Sequence, residues 1–249
     1  MSGGTGAGNG AGRRVLVTGA ARGIGLAVAE RFAADGDRVG LLDLDPAVEL
    51  AAQRLGGSAC LVDLADVAAT RSAVAQVVRQ LGGLDVVVNN AGVFRRADVA
   101  EQDPDEWDLV FAVNARAVMV VTQAALPALH ASAAGRVVSI ASMGGKEGTP
   151  GEGAYCAGKA AVIAWTRVAA RELGPAGITV NCVCPGYVLT EMGAGTRSSV
   201  DIERWTALSP LGRLGVPADV AATVHFLAGP GAAYCTGQAL NVTGGMVMH

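Results

Sequence analysis

The chain has 249 residues, of which 51% are hydrophobic but only 4% aromatic, with 35 glycines and a formal net charge of −3. That mix suits buried parallel strands covered by helices, around a core of Ala, Val, Leu and Ile. The slightly acidic balance excludes the basic footprint of a nucleic-acid binder and the polybasic patch of a membrane-surface protein, and a small soluble partner is expected.

Residues 1–12 carry six glycines and no apolar run, so they read as a flexible tail outside the fold and not as a secretory signal. From Arg14 onward, short β-rich runs alternate with helical patterns. Strands are expected at 15–18, 39–43, 59–63, 86–89, 137–141, 179–183 and 239–242, and helices at 23–35, 46–55, 66–82, 104–132, 153–174 and 217–228. Seven strands joined by helical crossovers predict an α/β chain with a single-domain Rossmann-type fold, a doubly wound parallel seven-stranded sheet over residues 13–249. No linker splits the series and no period repeats. Residues 186–215 form the one irregular insertion and are expected to be a lid over a ligand. The apolar stretch 109–126 is interrupted by Asn114 and Arg116, so no membrane span is expected and the cytoplasm is the expected location. Five cysteines without CxxC pairs, and three histidines, indicate neither a disulfide framework nor a metal site.

The first strand runs into Thr18-Gly19-Ala20-Ala21-Arg22-Gly23-Ile24-Gly25 and then directly into a helix. Glycines there permit a tight turn and close approach of a pyrophosphate, which the helix N-terminus meets with N–H donors and its dipole. The second strand closes on Asp43, 18 residues beyond Gly25, where a carboxylate can accept both ribose hydroxyls of an adenosine. This favours NAD over NADP. Two alternatives stay open: Asp43 caps the next helix alongside Asp45, and Arg22 meets a 2′-phosphate. Farther on, Asn89-Asn90-Ala91-Gly92 follows the fourth strand, Ser142 follows the fifth, and Tyr155 and Lys159 stand four apart on one helical face.

Through TGxxxGIG, NNAG, Ser142 thirteen residues before Tyr155, YxxxK and Pro185-Gly186, the sequence resembles the short-chain dehydrogenase/reductase family over essentially residues 14–248. The resemblance implies that Tyr155 is the general acid/base, that Ser142 orients the carbonyl, that Lys159 binds the nicotinamide ribose and that Asn114 holds a proton-relay water. It implies further that Gly19, Arg22, Gly23, Ile24 and Gly25 cradle the cofactor, Asp63 and Leu64 border the adenine, Asn90, Ala91 and Gly92 line its middle, and Pro185, Gly186, Val188 and Thr190 cover the carboxamide. A homotetramer built through 104–132, 153–174 and the C-terminal segment is also implied. The chemistry agrees with these roles: a tyrosine of pKa about 10 needs a neighbouring ammonium to favour its phenolate, and Lys159 is placed to supply it. For Asn114 the plainer reading is a bond to a neighbouring backbone carbonyl, and for Asp63 it is a helix cap. One departure is Thr243, in a place where many relatives carry Asp.

The expected function is therefore an NAD(P)-dependent oxidoreductase moving a hydride between a nicotinamide and a secondary alcohol or ketone, with NAD preferred. Gly144-Gly145-Lys146 and residues 237–242 look similar to bacterial 3-oxoacyl and polyketide ketoreductases, so an NADPH-dependent ketoreductase is the alternative. A non-catalytic NAD(H)-sensing protein is the alternative of another class. An epimerase or dehydratase acting on nucleotide sugars fits less well, because relatives of that kind usually carry a longer C-terminal substrate region. Arg95, Arg96 and Lys146 could meet the phosphate of an acyl carrier or coenzyme A, although solvation at the surface is the plainer explanation of them.

Overall fold

A computed structural model describes residues 12–190 and 198–249. The expected tail, Gly12 apart, and residues 191–197 of the expected lid lie outside the described residues. Strands β1 (Arg14–Thr18), β2 (Arg38–Asp43), β3 (Ser58–Leu61), β4 (Val86–Asn89), β5 (Arg136–Ile140), β6 (Thr179–Pro185) and β7 (Ala239–Val242) form one sheet in the order β3-β2-β1-β4-β5-β6-β7. Every pair is parallel. Helices follow as α1 (Gly23–Ala34), α2 (Ala47–Arg54), α3 (Val67–Leu81), α4 (Pro104–Phe111), α5 (Ala117–His130), α6 (Gly144–Glu147), α7 (Gly153–Leu173), α8 (Ser199–Ala207) and α9 (Pro217–Leu227).

The core has two layers because the strands alternate. Val15 and Val17 of β1 face Val28, Ala29 and Phe32 of α1 and Val224 of α9, whereas Leu16 between them faces Val74 and Val77 of α3 and Val121 of α5. Both faces are covered, which is why β4 reads as an unbroken apolar run. At about 25 cal/mol per Å² of apolar area, such side chains contribute roughly 2 kcal/mol each.

Three elements differ from expectation. The third strand ends at Leu61, leaving Asp63 in the loop beyond it. The expected helix 104–132 is interrupted by a π-helical turn, Ala112–Arg116, between α4 and α5. Within the expected lid, Ser198 and Asp201 make a reciprocal capping box that starts α8, so part of that segment is ordinary helix. The run Pro104–His130 is also long and apolar enough, by length and composition alone, to cross a membrane, despite Asn114 and Arg116. Half of its most apolar stretch is buried inside the protein, where Val121, Ala125 and Leu129 pack on the sheet.

Candidate active site

Strand order reverses direction between β1 and β4, and there the loops leaving the two strands diverge to opposite faces and open a crevice. A cavity of about 470 Å³ lies at this point, along the C-terminal ends of the strands.

The glycine loop forms its floor. Gly19 has φ +64°, and a Cβ there would come within 2.7 Å of the Ala91 Cα. Gly25 does not line the cavity; a Cβ on it would collide with the Gly19 carbonyl, so it lets α1 close up behind the loop. Gly19, Arg22, Gly23 and Ile24 do line the cavity, and the first turn of α1 has no acidic side chain to repel an anion. The loop is tied from across the crevice. The Asn90 amide donates to the carbonyls of Thr18 and Gly19 at 3.0 and 2.8 Å, while the Thr18 hydroxyl accepts from the backbone N–H groups of Asn90 and Ala91 at 3.0 and 3.1 Å.

At one end of the cavity stand Asp43, Asp45, Asp63, Leu64 and Arg22. Asp43 accepts from the Ala21 N–H at 2.8 Å and the Asp45 N–H at 3.0 Å, so it braces the glycine loop instead of capping α2. Asp45 takes the local turn, accepting from Ala47 N–H, and pairs with the Arg22 guanidinium at 2.9 Å. Asp63 accepts from the Ala65 N–H, and the cap of α3 is Asp66, which accepts from Ala68 and Ala69.

At the other end α7 presents Tyr155 and Lys159 to the cavity beside Gly92 and Val93. The Ser142 hydroxyl, in the turn after β5, stands within reach of the Tyr155 phenol, whose ionised form it favours, and accepts from the Gly144 N–H at 3.1 Å. The Lys159 ammonium donates to the Ile140 carbonyl at 2.7 Å and lies 5.7 Å from the Tyr155 ring centroid. Burial pushes the Tyr155 phenol up to about 12, against the Ser142 hydrogen bond, and pushes Lys159 down to about 8. The expected lowering of the phenol by Lys159 is not found: desolvation raises it, and the group that lowers it is Ser142. Asn114 is fully buried in the π-helical turn, and its amide clasps Val93, accepting from the N–H at 2.8 Å and donating to the carbonyl at 2.9 Å. Its side chain holds the loop after β4. Pro185, Gly186 and Val188 flank the cavity without lining it: Gly186 donates to the Val242 carbonyl, Val188 bridges to Gly215, and Thr190 beyond them does line it.

Sequence reasoning missed Leu44, Val62, Val93, Val113 and Ile140, which also line the cavity. Most sit at or just past a strand's C-terminal end, which is the signal that would have found them. A glycine-lined crevice with Asp43 at one end and Ser142, Tyr155 and Lys159 at the other fits a nicotinamide dinucleotide: the loop has no room for a Cβ at Gly19, and the far end sets a phenol beside a buried cation.

That fold and that crevice are those of a nicotinamide-dependent oxidoreductase. Residues 19–247 match a family model described as Enoyl-(Acyl carrier protein) reductase. The chain is 38% identical over 243 residues to 3-oxoacyl-[acyl-carrier-protein] reductase FabG of Staphylococcus aureus (strain N315), and 37% identical over 242 residues to the proteins of that name from Vibrio harveyi and Escherichia coli (strain K12). Each alignment covers 95% of this chain and 98% of the relative. The chain belongs to the short-chain dehydrogenase/reductase family, and it is an oxidoreductase acting on alcohol and carbonyl groups.

Proposed function

We propose that the protein reduces the 3-keto group of an acyl thioester, with NADPH as hydride donor. The observation that carries this reading is the pairing of Ser142 with Tyr155, which sets two hydroxyl donors side by side beside the cavity, where one carbonyl oxygen can receive both. Two donors on one oxygen suit C=O reduction, in which negative charge develops on that oxygen, better than reduction of an isolated C=C bond. The dinucleotide supplies the hydride. Ser142 fixes the carbonyl, Tyr155 gives it the proton, and Lys159 binds the ribose hydroxyls and keeps a positive charge near the phenol. Gly19, Gly23 and Ile24 receive the pyrophosphate, with Gly25 behind them, and Asn90, Ala91 and Gly92 border its middle. Leu64 and Asp63 border the adenine, and Pro185, Gly186, Val188 and Thr190 form the strap beside the carboxamide.

The relatives' names support this 3-oxoacyl alternative over the NAD-linked alcohol dehydrogenase expected from Asp43, and nothing in them supports the NAD preference. One feature does favour the second reading: Asp43 and Asp45 put two carboxylates beside Arg22, which a 2′-phosphate would have to face. Arg22 is exposed, and its pair with Asp45 is of the kind that contributes less than about 1 kcal/mol, so it is free to turn to a phosphate. Following nicotinamide absorbance with an acetoacetyl thioester and either cofactor tests the proposal; reduction of the thioester with NADPH is the expected result, and oxidation of simple alcohols by NAD with no thioester reduction would reverse it. Assembly as a homotetramer belongs to the same reading, supported by the exposed Val168, Phe226 and Tyr234.

A further inference from the structure

The short helix α6 follows directly on the turn that carries Ser142, and its four residues are too few to hold a helix in place by themselves. It begins Gly144-Gly145, and both glycines are pressed against α7. A Cβ on Gly144 would come within 3.0 Å of the Cys156 Sγ and 3.5 Å of the Ser142 Oγ, and one on Gly145 within 2.8 Å of the Lys159 carbonyl carbon and the Ala160 nitrogen. Gly144 also donates its N–H to the Ser142 hydroxyl at 3.1 Å. The start of α6 thus touches Ser142 on one side and, on the other, the helix that carries Tyr155 and Lys159.

The other end of α6 is tied to a distant part of the chain. Among the described residues, Lys146 makes the one side-chain hydrogen bonding from α6 to another element. Its ammonium donates to the Ala239 carbonyl, where β7 starts, at 2.9 Å and to the His249 backbone oxygen at 2.6 Å, 93 and 103 positions along the chain. That segment is itself knotted: the Asn241 amide donates to the backbone oxygens of Val247 and His249 at 3.1 and 3.0 Å, and the Thr243 hydroxyl donates to the Val247 carbonyl at 3.2 Å and accepts from its N–H at 3.3 Å. Bonds from a charged donor are about twice as strong as neutral ones, so two of them on one ammonium make a firm tie. Lys146 therefore spends its charge inside the protein, and not on a phosphate at the surface.

We infer that Lys146 is a positioning residue: by latching α6 to the C-terminal segment it holds the Ser142 turn in place beside Tyr155. The inference rests on the carbonyl-reductase reading of Ser142 and Tyr155, and it names what keeps that pair in register. Two hydroxyls that converge on one oxygen tolerate little displacement, and the glycines of α6 offer no side chain that could replace the latch.

A double-mutant cycle tests it. The substrate is whichever of the acetoacetyl thioester and simple ketones the unmutated protein reduces, so failure of the 3-oxoacyl reading alone leaves the test standing. Lys146→Met keeps the unbranched stem and removes the donors; it is expected to lower kcat by roughly tenfold, while NADPH affinity, read by dinucleotide fluorescence, stays unchanged. Lys146→Arg, which can still donate to both carbonyls, should recover most of kcat. In a Ser142→Ala background Lys146→Met should cost little more, because the group it positions is gone. A Lys146→Met protein with unmutated kcat overturns the inference. So does a loss that multiplies with that of Ser142→Ala, or one matched by an equal loss of dinucleotide affinity, since either marks a general loosening of the fold. If Ser142→Ala itself leaves kcat unchanged, the reading of the Ser142–Tyr155 end fails and takes the positioning role with it.

Discussion

Lys159 gives its hydrogen bond to the Ile140 carbonyl at 2.7 Å, at the end of the strand after which Ser142 follows, while its nitrogen lies 5.7 Å from the Tyr155 ring centroid. One backbone oxygen therefore orients the cation that, in the proposed function, serves both the cofactor and the proton donor. Burial lowers Lys159 to about 8 and raises Tyr155 to about 12, so on rising pH the lysine loses its charge before the phenol loses its proton. The ammonium is present below about 8. For the reduction, kcat/KM is expected to fall as pH rises through that value, together with cofactor affinity; a pH profile that stays flat until the phenol's own range would show that the lysine charge does not matter. Lys159→Ala should raise the cofactor KM and lower kcat at every pH.

Tyr155→Phe removes one hydroxyl and keeps the ring that Phe94 packs against. The fold and dinucleotide binding should persist, while turnover drops by about 10²–10⁴-fold. Circular dichroism and cofactor titration beside steady-state rates check both halves; activity near that of the unmutated protein would remove Tyr155 from the mechanism.

Cofactor choice turns on Asp43 and Arg22. A carboxylate and a phosphate about 4 Å apart repel by roughly 4 kcal/mol at an effective dielectric near 20, an upper guide that salt reduces. Asp43→Asn is expected to shift the NADPH-to-NADH ratio of kcat/KM toward NADPH by tenfold or more, and Arg22→Ala to shift it the other way. Parallel kinetics with the two cofactors read both shifts, and a ratio unmoved by either change would mean that neither residue meets the ribose.

Asp85 shows a stability effect remote from the site. Burial by itself would raise its carboxyl, but hydrogen bonds from Arg14 and Ser132 outweigh this and hold it at about 2. Its folded value lies below the ordinary 3.8, so its contribution is complete above that pH and is lost as pH falls through about 2. Asp85→Asn should cost roughly 2 kcal/mol at neutral pH, with a difference from the unmutated protein that shrinks in acid. Chemical denaturation across that range measures it; coincident unfolding curves at neutral pH would contradict the account.

The sheet and the gathering of the candidate residues at one crevice were legible because both rest on local patterns: alternating apolar runs, a glycine loop after the first strand, and Tyr155 one helical turn from Lys159. What was not legible depends on ties between distant residues. The Asn90 amide reaches the Thr18 carbonyl across 72 positions, and nothing near Thr18 announces that its hydroxyl braces the loop after β4. Asp63 and Asp66 look alike as helix caps, and only the end of β3 at Leu61 decides that Asp66 takes the role.

The π-helical turn at Ala112–Arg116 holds one extra residue between two helical stretches that stay in phase. Such a turn inserts one residue into an α-helical path, and each residue advances a helix by about 100°. Val110 before the turn and Val118 and Val121 after it all point inward. Removing a single residue there would restore a plain α-helical path and leave the apolar stripe of α5 facing α3 and the sheet, because the wide turn absorbs the extra residue. What the deletion would remove is the placement of the Asn114 amide against Val93, so the extra residue serves the cavity-lining loop and not the packing of the long helix.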